Sequence, residues 1–343
     1  MNEEVRQKPG RVARRNFIGG GLATLALAGT GLGLAACGDD DGNGAATATA
    51  SLAASGFAPG PKPEGTVASA RDATLPPLQP SPLQVTYRAT DVTLEIAAGV
   101  RYNAWTFDDT VPAPVLHVKQ GDMVQFTLIN EASAGHSIDF HAARTPWDKN
   151  YITIPPGDSL SFDWTADFPG VYVYHCGTAP VLHHIANGMY GVIVVDPETP
   201  LPPAREYWLM QSEFYASEGE GGTWDGDMEK MLAPKPDILA FNGVAFQYRD
   251  NPLPASAGEK IRLYVANIGP TLFSAFHVIG ALFDVVYVDG NPANPLVGLQ
   301  TYTIPPGGGA TFELTIPDPG LYPFVTHAFA YTELGAVGLL EVS

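Results

Sequence analysis

The sequence is short of cysteine, of positive charge and of long apolar runs, and each shortage removes a class of explanation. Two cysteines in 343 residues, Cys37 and Cys176, cannot organise a disulfide framework, so each thiol needs its own reason. Lys and Arg number 18 against 36 Asp and Glu, for a formal charge of −18. Residues 1–36 hold five of the cations (Arg6, Lys8, Arg11, Arg14, Arg15) and carry net +3, which leaves −21 on the remainder. Such a surface argues against nucleic acid and anionic membranes as partners and suits a basic partner protein. The weakly apolar stretch ending near Ala36 is Gly/Ala-rich and too poor in Leu, Ile and Phe to read as a transmembrane helix.

What is present begins with address signals. Arg14-Arg15-Asn16-Phe17-Ile18 is a twin-arginine pattern, and Leu34-Ala35-Ala36-Cys37 resembles a bacterial lipoprotein cleavage site. Residues 1–36 therefore read as a signal peptide and Cys37 as a lipidation site. The expected location is the periplasm or the outer face of the cell membrane, with membrane contact only through the lipid. Residues 37–82 are rich in Gly, Ala, Thr, Ser and Pro, and are expected to form a disordered tether.

From Leu83 the pattern becomes an alternation. Val124, Phe126 and Leu128 share one face of their run, and Ile261, Leu263 and Val265 share one face of theirs. Both runs read as half-buried strands. The chain also repeats: Ile154-Pro155-Pro156-Gly157 returns as Ile304-Pro305-Pro306-Gly307, and Phe168-Pro169-Gly170-Val171-Tyr172 returns as Asp318-Pro319-Gly320-Leu321-Tyr322, both 150 residues on. Phe140-His141 returns as Phe276-His277. An all-β protein of two tandem β-sandwiches follows, over 83–198 and 203–343, with the Gly- and Glu-rich stretch 215–236 as an excursion within the second.

Five of the eight histidines lie between 136 and 184, around Cys176. One thiolate, two imidazoles and a thioether make a blue-copper site. Cys176, His184 and Met189 supply three of these from one segment, and His136 the fourth; His183 competes with His184, which is preferred because it leaves four residues before Met189. Adjacent strand residues face opposite ways. If Cys176 faces one copper, His175 faces away from it. His136 and His141 are separated by five, so His141 can join His175 in a second, imidazole-built site, with Asp139 on the same face. Two imidazoles are too few there; His327, just after the second Pro-Gly-Leu-Tyr turn, is the candidate for the third. Asp139 and His277 would donate protons to a small anion at the open position of that copper.

These residues resemble the copper-containing nitrite reductases over about 85–343. The most specific stretches are His136-Ser137-Ile138-Asp139-Phe140-His141, Tyr174-His175-Cys176, His184-Ile185-Ala186-Asn187-Gly188-Met189, Phe276-His277-Val278-Ile279-Gly280 and Val325-Thr326-His327. The resemblance implies two cupredoxin-like Greek-key domains and one type 1 and one type 2 copper per chain. It implies His136, Cys176, His184 and Met189 on type 1 copper, and His141, His175 and His327 on type 2 copper. Asp139 and His277 would be the proton-handling pair, Ile279 would shape the nitrite pocket, and Gln300 and Thr301 would support His277. The implied reaction is one-electron reduction of nitrite to nitric oxide with proton uptake, electrons passing through Cys176-His175. The implied partners are nitrite, a small redox donor (a cupredoxin or a cytochrome c), and two further copies in a homotrimer whose type 2 site lies between subunits. His183 departs from the pattern, standing where many members carry a large apolar residue.

Two other readings stay open on the residues alone. A two-domain multicopper oxidase needs His-x-His pairs for its trinuclear cluster, and the sequence contains none. A tethered electron carrier with only the type 1 copper would leave His141, His175 and His327 without a role.

Overall fold

Alternation makes strands here, and the repeats make their turns. The computed structural model describes residues 57–343, which fall in one compact unit. The proposed signal peptide, Cys37 and the tether up to residue 56 lie outside the described residues.

The first sandwich pairs two sheets. One runs, in order, Trp224–Gly226, Val100–Phe107, Leu83–Ala97, Met123–Asn130 and Ser159–Thr165, with Ala216–Glu218 at its edge; the other is Leu116–Lys119, Tyr190–Asp196, Gly170–His175 and Asp139–Phe140. The second sandwich pairs a six-stranded sheet centred on Arg205–Phe214, Lys260–Gly269 and Gly308–Thr315 with a five-stranded sheet that includes Gly320–Thr326 and Ser274–Val278.

The repeated turns are repeated structure. Gly157 and Gly307 both adopt left-handed backbone (φ 87° and 76°), which explains glycine at that place in both copies. Each donates its N–H to the carbonyl of a buried asparagine, Asn130 at 2.7 Å and Asn267 at 2.8 Å. Each asparagine side chain donates in return to the carbonyl opening the turn, Ile154 at 2.9 Å and Ile304 at 3.1 Å. Tyr172 and Tyr322 donate their hydroxyls to the Phe168 and Asp318 carbonyls that open the other pair of turns.

Val124, Phe126 and Leu128 face the first core as the alternation requires. The run 260–269 does not stay half-buried: nearly every residue in it is buried. Ile261, Leu263 and Val265 face their own core, while Tyr264, Ala266 and Ile268 join Val171, Val173, Val192 and Val194 of the first sandwich in a separate apolar cluster. The strand is central in its sheet and its second face is covered by the other sandwich, so both faces are buried. Arg262 on that second face is buried too. Its guanidinium donates to Glu313 Oε1 (2.6 and 2.8 Å), Glu206 Oε1 (2.6 Å) and the Pro202 carbonyl (2.8 Å).

Two segments differ from expectation. Residues 57–82, expected within a disordered tether, form an ordered strap. Ala73 and Leu75 are buried, Thr74 bridges to Tyr207, and the Glu64, Val67 and Arg71 amides donate to Ala98, Asp250 and Gln247. The strap is poor in apolar residues, but it lies on a preformed surface and needs to bury only a few. His117 holds it as well, with Nδ1 2.5 Å from the Pro76 carbonyl and Nε2 3.1 Å from the Asp196 carboxylate. Burial pulls the His117 pKa down, and those two partners outweigh it and raise it. The excursion 215–236 also leaves its own sandwich: its hairpin extends the first sandwich's sheet, with Trp224 opposite Tyr102.

If the strap is part of the folded unit, Leu75→Ala costs about 2 kcal/mol and lowers the melting temperature by a few degrees. Thermal unfolding that matches the native protein would show the strap to be merely draped.

Candidate metal centres

The strand Gly170–His175 delivers two side chains of different chemistry at its end. Asp139 lies directly across the ladder from His175, and Phe140 across from Tyr174. Phe140 and Tyr174 are buried in the first core, so Asp139 and His175 occupy the opposite face. Cys176 continues the ladder by donating its N–H to the Met189 carbonyl (3.0 Å), and is fully buried in the same core as Tyr174 and Met189.

Around Cys176 three ligand-type atoms converge. Sγ lies 3.3 Å from His184 Nδ1 and 3.9 Å from His136 Nδ1, and the two nitrogens are 3.1 Å apart. Metal bonds of roughly 2.0–2.3 Å in a trigonal set place donor atoms about 3.5–4 Å apart, so the triangle fits one ion. The Ser137 N–H donates to Sγ at 3.4 Å, and Ser137 Oγ accepts from the Gly177 N–H at 3.0 Å, which ties the two ligand segments together. Burial pushes the Cys176 thiol up and the His136 and His184 imidazoles down to about 4. Neutral imidazoles are ready ligands, and a bound cation would reverse the cost of ionising the thiol. A soft thiolate with two imidazoles and a nearby thioether suits copper.

His183 does not enter this triangle. Its ring lies 4.7 Å from the Trp105 ring, which also packs on His184 at 4.7 Å and His136 at 5.6 Å. Trp105 lies among three histidines, and the sequence reading missed it because Trp105 is 31 residues from the nearest of them.

The second group is Asp139, His141 and His175. His141 Nε2 and His175 Nε2 are 3.1 Å apart. A carbonyl can only accept, so His175 Nδ1, 3.0 Å from the Cys176 carbonyl, carries its proton and Nε2 presents a lone pair. Burial, and then the neighbouring His175, lower the His141 pKa, while Asp139 and a hydrogen bond to the Gly307 backbone oppose the shift. The alternation argument assumed a regular strand through 136–141. Instead His136 makes an isolated bridge to Ile154 and regular pairing covers only Asp139–Phe140, yet the two groups still form on separate sides.

Within one chain His327 is not in that group. It follows the strand Gly320–Thr326, is exposed, and stacks edge-on with His277 at 5.4 Å between ring centres. His277 Nδ1 donates to the Gln300 carbonyl (2.5 Å), and Thr301 Oγ1 lies 3.5 Å from it. The support from Gln300 is thus main-chain and independent of its side-chain charge. Ile279 is half exposed on the same strand end. The imidazoles therefore stand in two pairs, His141/His175 on the first sandwich and His277/His327 on the second.

Residues 88–200 match the family model described as multicopper oxidase. The chain is 40% identical over 273 residues to the copper-containing nitrite reductase of Neisseria meningitidis serogroup A, covering 77% of this chain and 70% of that protein. It superposes on the solved copper nitrite reductase of Nitrosomonas europaea with TM-score 0.71 and 40% identity, over 76% of this chain and 94% of that one. A solved multicopper oxidase is similar at TM-score 0.68 and 27% identity, over 80% and 93% of the two chains.

The depressed imidazoles set a pH dependence for the copper-free protein. His136 and His184 have folded pKa values of about 4, below the ordinary value of about 6.5. Their contribution is intact above about pH 6.5 and lost as the pH falls toward about 4, where the unfolded chain takes up protons first. Urea unfolding should show this fall, and show a smaller one in His184→Gln. An equal fall in both proteins would contradict the assignment of the shift to these rings.

Proposed function

Because this chain belongs to the copper-containing nitrite reductases, enzymes that reduce nitrite at copper, we propose how its own residues divide that work. His136, Cys176, His184 and Met189 hold the type 1 copper. His141 and His175 hold the type 2 copper together with His327 of the partner subunit, which makes the type 2 site a shared one in a homotrimer. One observation carries this reading: His175 and Cys176 are consecutive in the chain, yet their side chains belong to separate ligand groups.

Bound copper supplies one-electron transfer and a Lewis-acid position for a nitrite oxygen. The Cys176–His175 segment is the shortest covalent link between the two groups, and the hydrogen bond from His175 Nδ1 to the Cys176 carbonyl doubles it. Nitrite, one electron and two protons give nitric oxide and water. Two proton-holding side chains are required, and Asp139 and His277 fill those roles. Asp139 lies beside His141 and His175. His277, with Nδ1 committed to Gln300, has Nε2 free for substrate. Ile279 walls the pocket.

Two features support the shared site. Among the described residues of one chain, no third imidazole joins the His141/His175 group. Exposed apolar side chains also lie beside the His277/His327 pair: Phe329 packs on His327, Leu282 lines a cavity with His277, and Ile279 is two residues from His277; Trp147 and Ile152 are exposed on the segment that follows His141. Two different apolar faces on one chain suit a head-to-tail contact that closes into a ring. The residue pattern at 14–18 and 34–37 supports export and a lipid on Cys37. The net charge supports a basic electron donor. Among the described residues no helix is long and apolar enough to cross a membrane.

Anaerobic nitrite turnover by the copper-loaded protein tests the division of roles. His327→Ala should keep the visible thiolate band and lose at least roughly 100-fold in turnover. A variant that bleaches the band and keeps turnover would reverse the assignments. Light scattering should give three times the chain mass; a monomer with full activity would exclude the shared site.

A further inference from the structure

The helix Val181–Ala186, which carries His184, has six residues and no side-chain cap at Pro180. A helix so short does not hold its own shape. What holds it is found at Asn187, its C-cap, which is buried three residues after His184 and two before Met189.

On one side Asn187 is tied to the strand Val100–Phe107. Its carbonyl accepts from the Trp105 N–H at 3.1 Å, and its Oδ1 accepts from the Tyr102 hydroxyl at 2.8 Å. On the other side lies the excursion contributed by the second half of the chain. A Cβ placed on Gly226 would lie 2.1 Å from Asn187 Oδ1 and 3.1 Å from the Tyr102 hydroxyl, so the Gly226 backbone rests directly on that hydrogen bond. Tyr215 and Met231, from the same excursion, are buried with Ala186, and Leu182 and Met228 pack on the cluster. Lys230 pins this cover: its buried ammonium donates to the Ala216 carbonyl (2.5 Å) and to Asp237 (3.0 Å).

We propose that Tyr102, Asn187 and Gly226 are positioning residues for the type 1 copper, forming a clamp through which the second half of the chain sets the spacing of His184 and Met189. The inference rests on the type 1 assignment made above. Its physical basis is that a type 1 site is tuned by a weak axial sulfur and by the groups behind its ligands. Asn187 lies between the imidazole and the thioether in sequence, so moving it moves both. No other side chain fits at Gly226 without displacing the carboxamide.

The test uses the full-length, copper-loaded protein. Gly226→Ala should shift the position or intensity ratio of the thiolate charge-transfer bands, and the midpoint potential read from them, with two coppers per chain retained. Tyr102→Phe, which removes only one hydroxyl, should give a smaller shift and decides alone if Gly226→Ala does not fold. In an Asn187→Ala background, where the carboxamide is gone, Gly226→Ala should add little. Glu218→Ala, exposed in the same hairpin, should leave bands and potential unchanged. The proposal is overturned if Tyr102→Phe and a folded Gly226→Ala both superimpose on the native spectrum and potential, or if the Gly226→Ala shift persists in full without Asn187. Failure of the underlying assignment looks different: a native protein with no thiolate band, or one whose band survives Cys176→Ser.

Discussion

The molecule depends on a strand that ends with an imidazole on one face and a thiol on the other. The pleat fixes that opposition: Asp139 and His175 pair across the ladder on one side, and Tyr174 and Cys176 point into the core on the other. Both side chains are held there by main-chain bonds. The Cys176 amide is committed to Met189 and the His175 ring to the Cys176 carbonyl. Two chemically distinct groups therefore sit back to back with one peptide unit between them. The surrounding fold brings further imidazoles to each: His136 from an earlier bridge and His184 from a returning segment beside the thiol, and His141, beyond the short strand Asp139–Phe140, beside His175.

The two sandwiches cooperate more closely than a pair of linked domains requires. Val171 lies at the centre of their contact. Its N–H donates to the Asp289 carbonyl at 2.8 Å, and Gly309 packs so near it that an added Cβ would be 2.4 Å from the Val171 carbonyl. The strand bearing His175 is thus backed by the second sheet. Its position is set by the core of one sandwich and by the outer face of the other.

Much of this was legible in the residues. The period-two runs gave strands, the turns repeated at 150 residues gave two sandwiches, and the spacing of His136, His141, His175, Cys176 and His184 gave two ligand groups. The spacing to Met189 favours His184 over His183; on the helix both rings pack on Trp105, and His184 is the one whose Nδ1 lies 3.3 Å from Sγ. Buried Asn130 and Asn267, the partners of the repeated turns, were missed, although both occupy matching places in their runs; a lone asparagine in a strand gives no pattern to detect. The strap at 57–82 was misread because composition measures what a segment can bury by itself, not what a neighbouring surface can bury for it. The stretch 215–236 reads from composition as an excursion within the second domain, but the sheet its hairpin extends is not legible there, since chain order does not fix which exposed edge a hairpin joins. Within one chain His327 stands beside His277 and outside the His141/His175 group, a separation that residue spacing alone does not measure.

The register of the repeat also shows where the two copies differ. At the 150-residue offset Thr326 stands where the first copy has Cys176, and its hydroxyl accepts the Ala275 amide at 3.1 Å. Where the first copy of the module presents a soft sulfur, the second presents a hydroxyl oxygen bonded to the backbone.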